Sequence, residues 1–92
     1  MAADAALRPR VRDDVVFREL EDEWVVFDPV TRRLHALNGT AAVVWEHCGG
    51  DLTVGEIAEA VRDAFRDPPA PEAVRRDVEA ILERFRTEGL LA

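Results

Sequence analysis

Arg32-Arg33-Leu34-His35-Ala36-Leu37-Asn38-Gly39-Thr40-Ala41-Ala42-Val43-Val44-Trp45 is the stretch in which the chain changes period. Residues 32–37 read as a short strand. From Asn38 onward the repeat lengthens: Ala41, Val44, Trp45 and Cys48 fall at i, i+3, i+4 and i+7, one stripe of a helix. Asn38 stands where an N-cap belongs, because its side-chain oxygen can accept from an orphan backbone N–H of the first turn. A strand that feeds directly into a helix splits the chain into a β half and an α half.

Upstream of this stretch, Asp28-Pro29-Val30-Thr31 is turn chemistry. Proline presets φ, and an aspartate before it can bond back to the turn. Residues 24–27 form a second strand that is apolar on both faces, which suits the middle of a sheet. Glu21-Asp22-Glu23 is a charged break. Before it, the β-branched and aromatic run of residues 15–20 reads as the first strand. Short connections make an antiparallel meander. Its order leaves the third strand with one unpaired edge.

Downstream, Gly49-Gly50-Asp51 ends the first helix. Thr53-Val54-Gly55-Glu56 is a capping box, in which hydroxyl and carboxylate satisfy each other's backbone donors. Val54, Ile57, Ala58, Val61 and Phe65 then form a buried stripe. Asp67-Pro68-Pro69-Ala70-Pro71 is a stiff linker, and Pro71 suits the first turn of a new helix. Val74, Val78, Ile81, Leu82 and Phe85 are the stripe of the third and longest helix. Gly89 stops it, and Leu90-Leu91 can fold back as an apolar plug. Strands followed by helices without alternation predict an α+β domain with the helices on one side of a three-stranded antiparallel sheet.

A chain of 92 residues fits one domain, and 48% apolar residues can build one core. Residues 1–13 are expected as a flexible N-terminal segment and 14–92 as the domain. Residues 1–13 carry no long apolar stretch, so neither a signal peptide nor a membrane anchor is expected, and the cytoplasm is the expected location. Twelve basic and nineteen acidic side chains leave a net charge of −7, which opposes general nucleic-acid binding.

Chemistry-bearing patterns are scarce. Cys48 is the single cysteine, so no disulfide forms within the chain, and on an apolar helix face it reads as a small buried hydrophobe. His35 and His47 belong to no metal-ligand spacing; His35 reads as a surface or edge histidine. Trp45 reads as core and Trp24 as core or boundary packing. Serine is absent, which excludes a serine nucleophile. The carboxylates are scattered along helix faces and balanced by arginines, pairs worth a few tenths of a kcal/mol each. No catalytic residue, metal or cofactor is assigned, and an enzyme is not expected. What remains is the edge of the third strand. It is either blunted by Arg32, Arg33 and His35 or open to a foreign strand.

Several segments, in order, resemble the PqqD-like family, also called RiPP recognition elements. They are Arg8-Pro9-Arg10-Val11, Val25-Val26-Phe27-Asp28-Pro29, and Leu34 to Ala42 with Trp45-Glu46 and Cys48. Gly50 to Ile57, Asp77-Val78 and Gly89-Leu90-Leu91 complete the match, which spans Arg8 to Leu91. The resemblance implies a winged helix-turn-helix-like fold. It implies a domain that binds the leader segment of a ribosomally made precursor peptide by strand addition and presents it to a modifying enzyme. Such an enzyme would be a radical S-adenosylmethionine enzyme or a leader peptidase, within natural product biosynthesis. The leader would lie along Arg33, Leu34, His35 and Ala36 of the third strand and Asp77, Val78, Ile81, Arg84 and Phe85 of the third helix. Val78, Ile81 and Phe85 also have a reading as core. Neither nucleic acid nor membrane is an implied partner. Two alternatives stand beside this one: a winged-helix DNA-binding regulator, and a domain that pairs its open edge with a second copy.

Overall fold

Three strands and then three helices follow one another in a computed structural model that describes residues 8–92. The strands are β1 (Val16–Leu20), β2 (Glu23–Asp28) and β3 (Arg33–Leu37). The helices are α1 (Gly39–Glu46), α2 (Val54–Asp63) and α3 (Pro71–Thr87). The sheet order is β1-β2-β3, antiparallel throughout. This is the α+β order expected from the sequence pattern, and it agrees with the winged helix-turn-helix-like fold that the resemblance implies.

The register sorts the side chains into two faces. Phe17 opposes Val26, which opposes His35, and these turn toward the helices with Leu37. Val16 opposes Phe27, which opposes Leu34, and these lie exposed on the outer face. Because the side-chain period of a strand is two, one register places both rows at once.

The helix boundaries have local causes. The Asn38 carboxamide oxygen accepts from the Ala41 N–H at 2.8 Å. Thr53 and Glu56 close their capping box at 3.2 and 2.8 Å. Pro71 opens α3. Gly89, at φ 73°, turns the chain out of α3 in a conformation that favours glycine. Leu90 then folds back and is completely buried.

Val26, Leu37, Val44, Trp45, Ile57, Val61, Val78, Phe85 and Leu90 form the core between sheet and helices. Trp45 stacks near Phe17 at 6.3 Å and meets the edge of Phe85 at 5.3 Å, a geometry aromatic rings favour. Burying one large apolar side chain contributes about 1.5–3 kcal/mol, so this cluster is the main stabilising element.

Two expectations need correction. Phe65 does not continue the stripe of α2: the helix ends at Asp63, and Phe65 lies 40% exposed beyond it. The packed body also begins earlier than residue 14. Residues 1–7 lie outside the described residues, but Pro9 to Arg12 are built into the fold. The Gly50 N–H donates to the Pro9 carbonyl, Val11 to Cys48, Arg12 to Leu90, and Ala92 to Arg10, at 2.7–3.0 Å. These are backbone bonds, so the apolar pattern of the side chains does not announce them. Among the described residues no helix is long and apolar enough to cross a membrane.

Candidate functional site

β2 occupies one side of β3, and the other side carries no strand among the described residues. The Ala36 carbonyl accepts from Arg84 Nη2 at 3.0 Å, a donor that comes from α3 and not from β2. In an antiparallel strand the N–H and C=O of one residue point the same way, and successive residues alternate. Ala36 and Leu34 therefore turn their backbone groups away from β2. The Leu34 side chain is 66% exposed on the outer face.

α3 borders this edge. Asp77, Ile81 and Arg84, with the capping residue Glu88, recur at i, i+4, i+7 and i+11, one face of the helix continued into its cap. Arg84 and Glu88 reach β3 from this face. Arg84 Nε donates to Glu88 Oε1 at 3.2 Å, and the same oxygen lies 3.3 Å from His35 Nδ1. His35 is buried, and its Nε2 has no hydrogen-bond partner among the described residues. Residues of β3 and α3 thus meet through a chain of polar contacts beside a free strand edge.

The structure sorts the expected site residues. Arg33, Leu34, Ala36 and Asp77 are exposed, and Ile81 and Arg84 are half-buried. Arg33, Leu34 and Ala36 lie on β3, and Asp77 and Ile81 share the helix face of Arg84, which contacts the Ala36 carbonyl. Val78 and Phe85 do not share that face: both are fully buried, turned roughly a quarter of the helix circumference away from it. They belong to the core and offer no surface to a ligand. His35 is not a surface histidine either. It faces the helices because Leu37, two residues on, faces the core, and strand side chains repeat with period two. Glu88 is not among the expected site residues, although its i+4 spacing from Arg84 is a readable pairing signal.

Near the end of α3 lies an ion pair whose carboxylate is buried. Arg12 donates to both carboxylate oxygens of Asp28, at 2.9 and 3.2 Å, and to the Gly89 carbonyl at 3.0 Å. The Val30 N–H donates to Asp28 Oδ1 at 2.9 Å. One guanidinium thereby ties the N-terminal arm, the β2–β3 turn and the end of α3 together. Its hydrogen bonds, ahead of those from the turn amides, hold the Asp28 carboxyl down at about 2.

Elsewhere the reactive groups are muted. Burial pushes the Cys48 thiol up to about 12, which suppresses the nucleophilic thiolate. Arg75 and Arg86 are paired with Glu79 and Glu83 on the exposed side of α3, so that surface is charge-balanced and not a basic recognition face. Among the described residues no cluster of His, Cys, Asp and Glu could hold a metal ion. The site's chemistry is that of main-chain donors and acceptors beside a mixed polar and apolar helix face.

A family model described as coenzyme PQQ synthesis protein D (PqqD) matches residues 23–91. No curated protein matches the chain. Among solved structures, TbiB1 in complex with the TbiA(beta) leader peptide is similar at a TM-score of 0.76 and 22% identity, over 89% of this chain and 93% of that one. Lasso peptide synthetase B1 complexed with the leader peptide gives 0.78 and 16%, over 92% and 98%. The PqqD truncation of Methylobacterium extorquens PqqCD, described as a functional and stand-alone RiPP recognition element, gives 0.74 and 22%, over 100% and 99%. At these identities the likeness is one of fold.

Proposed function

The chain belongs to the PqqD family, and from that premise we propose that it binds the leader segment of a ribosomally made precursor peptide along the free edge of β3. The observation that carries this reading is the edge itself: the outward backbone groups of Leu34 and Ala36, bordered by the Asp77–Ile81–Arg84 face of α3. An extended peptide that adds a strand there gains affinity from main-chain bonds and selectivity from the side chains of the neighbouring helix. Two structural neighbours described with leader peptides, TbiB1 and lasso peptide synthetase B1, support the same use of the fold.

The domain's role is recognition. It holds the leader and presents the precursor to a separate modifying enzyme, of the radical S-adenosylmethionine or leader-peptidase kind, in the cytoplasm where the precursor is made. The buried, thiol-protonated Cys48 and the arginine-paired carboxylates of α3 suit a binding surface better than a catalytic one.

Fluorescence titration of Trp24 and Trp45 tests this, using a synthetic peptide with the leader sequence of the precursor encoded beside this chain. Binding at micromolar concentration or tighter is expected. No binding below about 100 μM, equivalent to roughly −5.5 kcal/mol, contradicts it.

A further inference from the structure

We propose that Arg84 is a removable cap on the edge of β3, seated on the one carbonyl that an incoming strand has to take from it. The inference rests on reading that edge as the peptide-pairing site. Four main-chain groups face outward there: the N–H and C=O of Leu34 and of Ala36. Arg84 Nη2 already donates to the Ala36 carbonyl at 3.0 Å.

The guanidinium is held in that position. Its Nε is tied to Oε1 of Glu88, the residue that caps the end of α3, and that oxygen also lies against Nδ1 of the buried His35. The contacts run from β3 to the helix and back to β3, so the cap is anchored to the strand it covers. A long open edge invites pairing with another copy of the chain, and a charged side chain across it is a known means of discouraging this. Arg84 does so through its hydrogen bond. It is also half exposed on a flexible stem, so it can leave Ala36 while keeping Glu88.

The consequence is specific. A peptide that pairs along the whole edge exchanges one hydrogen bond for another at Ala36 and makes new ones only at the other three groups. Arg84 therefore lowers the affinity of strand pairing and penalises registers that need the Ala36 carbonyl. It acts on the peptide's backbone and is not a contact that adds to binding.

Two measurements with the synthetic leader peptide described above test this. Arg84→Ala should bind the peptide about 2- to 10-fold more tightly than the unaltered chain, the worth of one hydrogen bond. Weaker or unchanged binding overturns the cap. In the unaltered chain labelled with nitrogen-15 arginine, the Arg84 guanidinium should show restricted rotation when free and lose it at peptide saturation. A guanidinium that is mobile in the free chain, or still restricted in the complex, overturns the cap while leaving the peptide site intact. If neither the unaltered chain nor Arg84→Ala binds the peptide, the peptide site falls and the cap falls with it.

Discussion

Arg12 grips Asp28 with two hydrogen bonds, one to each carboxylate oxygen, across sixteen residues of chain, and Asp28 is completely buried. The pair joins three segments, since Asp28 ends β2 opposite Arg33 and Arg12 also holds the Gly89 carbonyl just past the end of α3.

The pH dependence of folding follows from this pair. The Asp28 carboxyl sits at about 2 in the fold, against an ordinary value of 3.8. A carboxyl held below its unfolded value adds stability that is fully present above that ordinary value. The contribution is lost as pH falls from there through the folded value. Thermal melts between pH 7 and pH 2 should show the melting temperature falling most steeply below about pH 4. Asp28→Asn should flatten that acid limb and lower the melting temperature at pH 7, because it leaves Arg12 without its buried partner.

Cys48 should be inert in the native chain. Its thiol is buried and held at about 12, so almost no thiolate exists at pH 8. Native protein should react with a thiol reagent at least about tenfold more slowly than the same protein in denaturant. Equal rates would place Cys48 at the surface.

Two neighbours on α3 should separate stability from binding. Phe85→Ala removes a fully buried ring that packs on Trp45, and should lower unfolding free energy by about 3–5 kcal/mol. Ile81→Ala trims a half-buried side chain on the helix face that also carries Arg84, and should cost less stability while weakening leader-peptide binding by about 5- to 20-fold. Chemical denaturation and fluorescence titration of both variants check the split. A stable Ile81→Ala chain with unchanged affinity would remove Ile81 from the site.

What was readable in the sequence is what acts over short range. Asn38 caps α1 through a bond three residues away, and Thr53 and Glu56 close on each other over the same distance. Gly89 ends α3 because of its own backbone freedom. The alternation of β3 and the period of α3 were also legible, and read more strictly they separate His35 from Leu34 and Val78 from Asp77. The long-range contacts around β3 and the end of α3 were not legible. Arg84 meets Ala36 across 48 residues, and Arg12 meets Gly89 across 77. No periodicity encodes such pairs, since their partners are backbone carbonyls that every residue carries.

Hydrogen exchange of individual backbone amides, with and without the synthetic leader peptide, tests the central claim most directly. Pairing along β3 predicts that the Leu34 and Ala36 amides slow markedly on peptide saturation. The His35 amide, already turned toward β2, should change little. Unchanged exchange at Leu34 and Ala36 in a saturated complex, with new protection along Val16–Leu20 at the opposite edge, would contradict it.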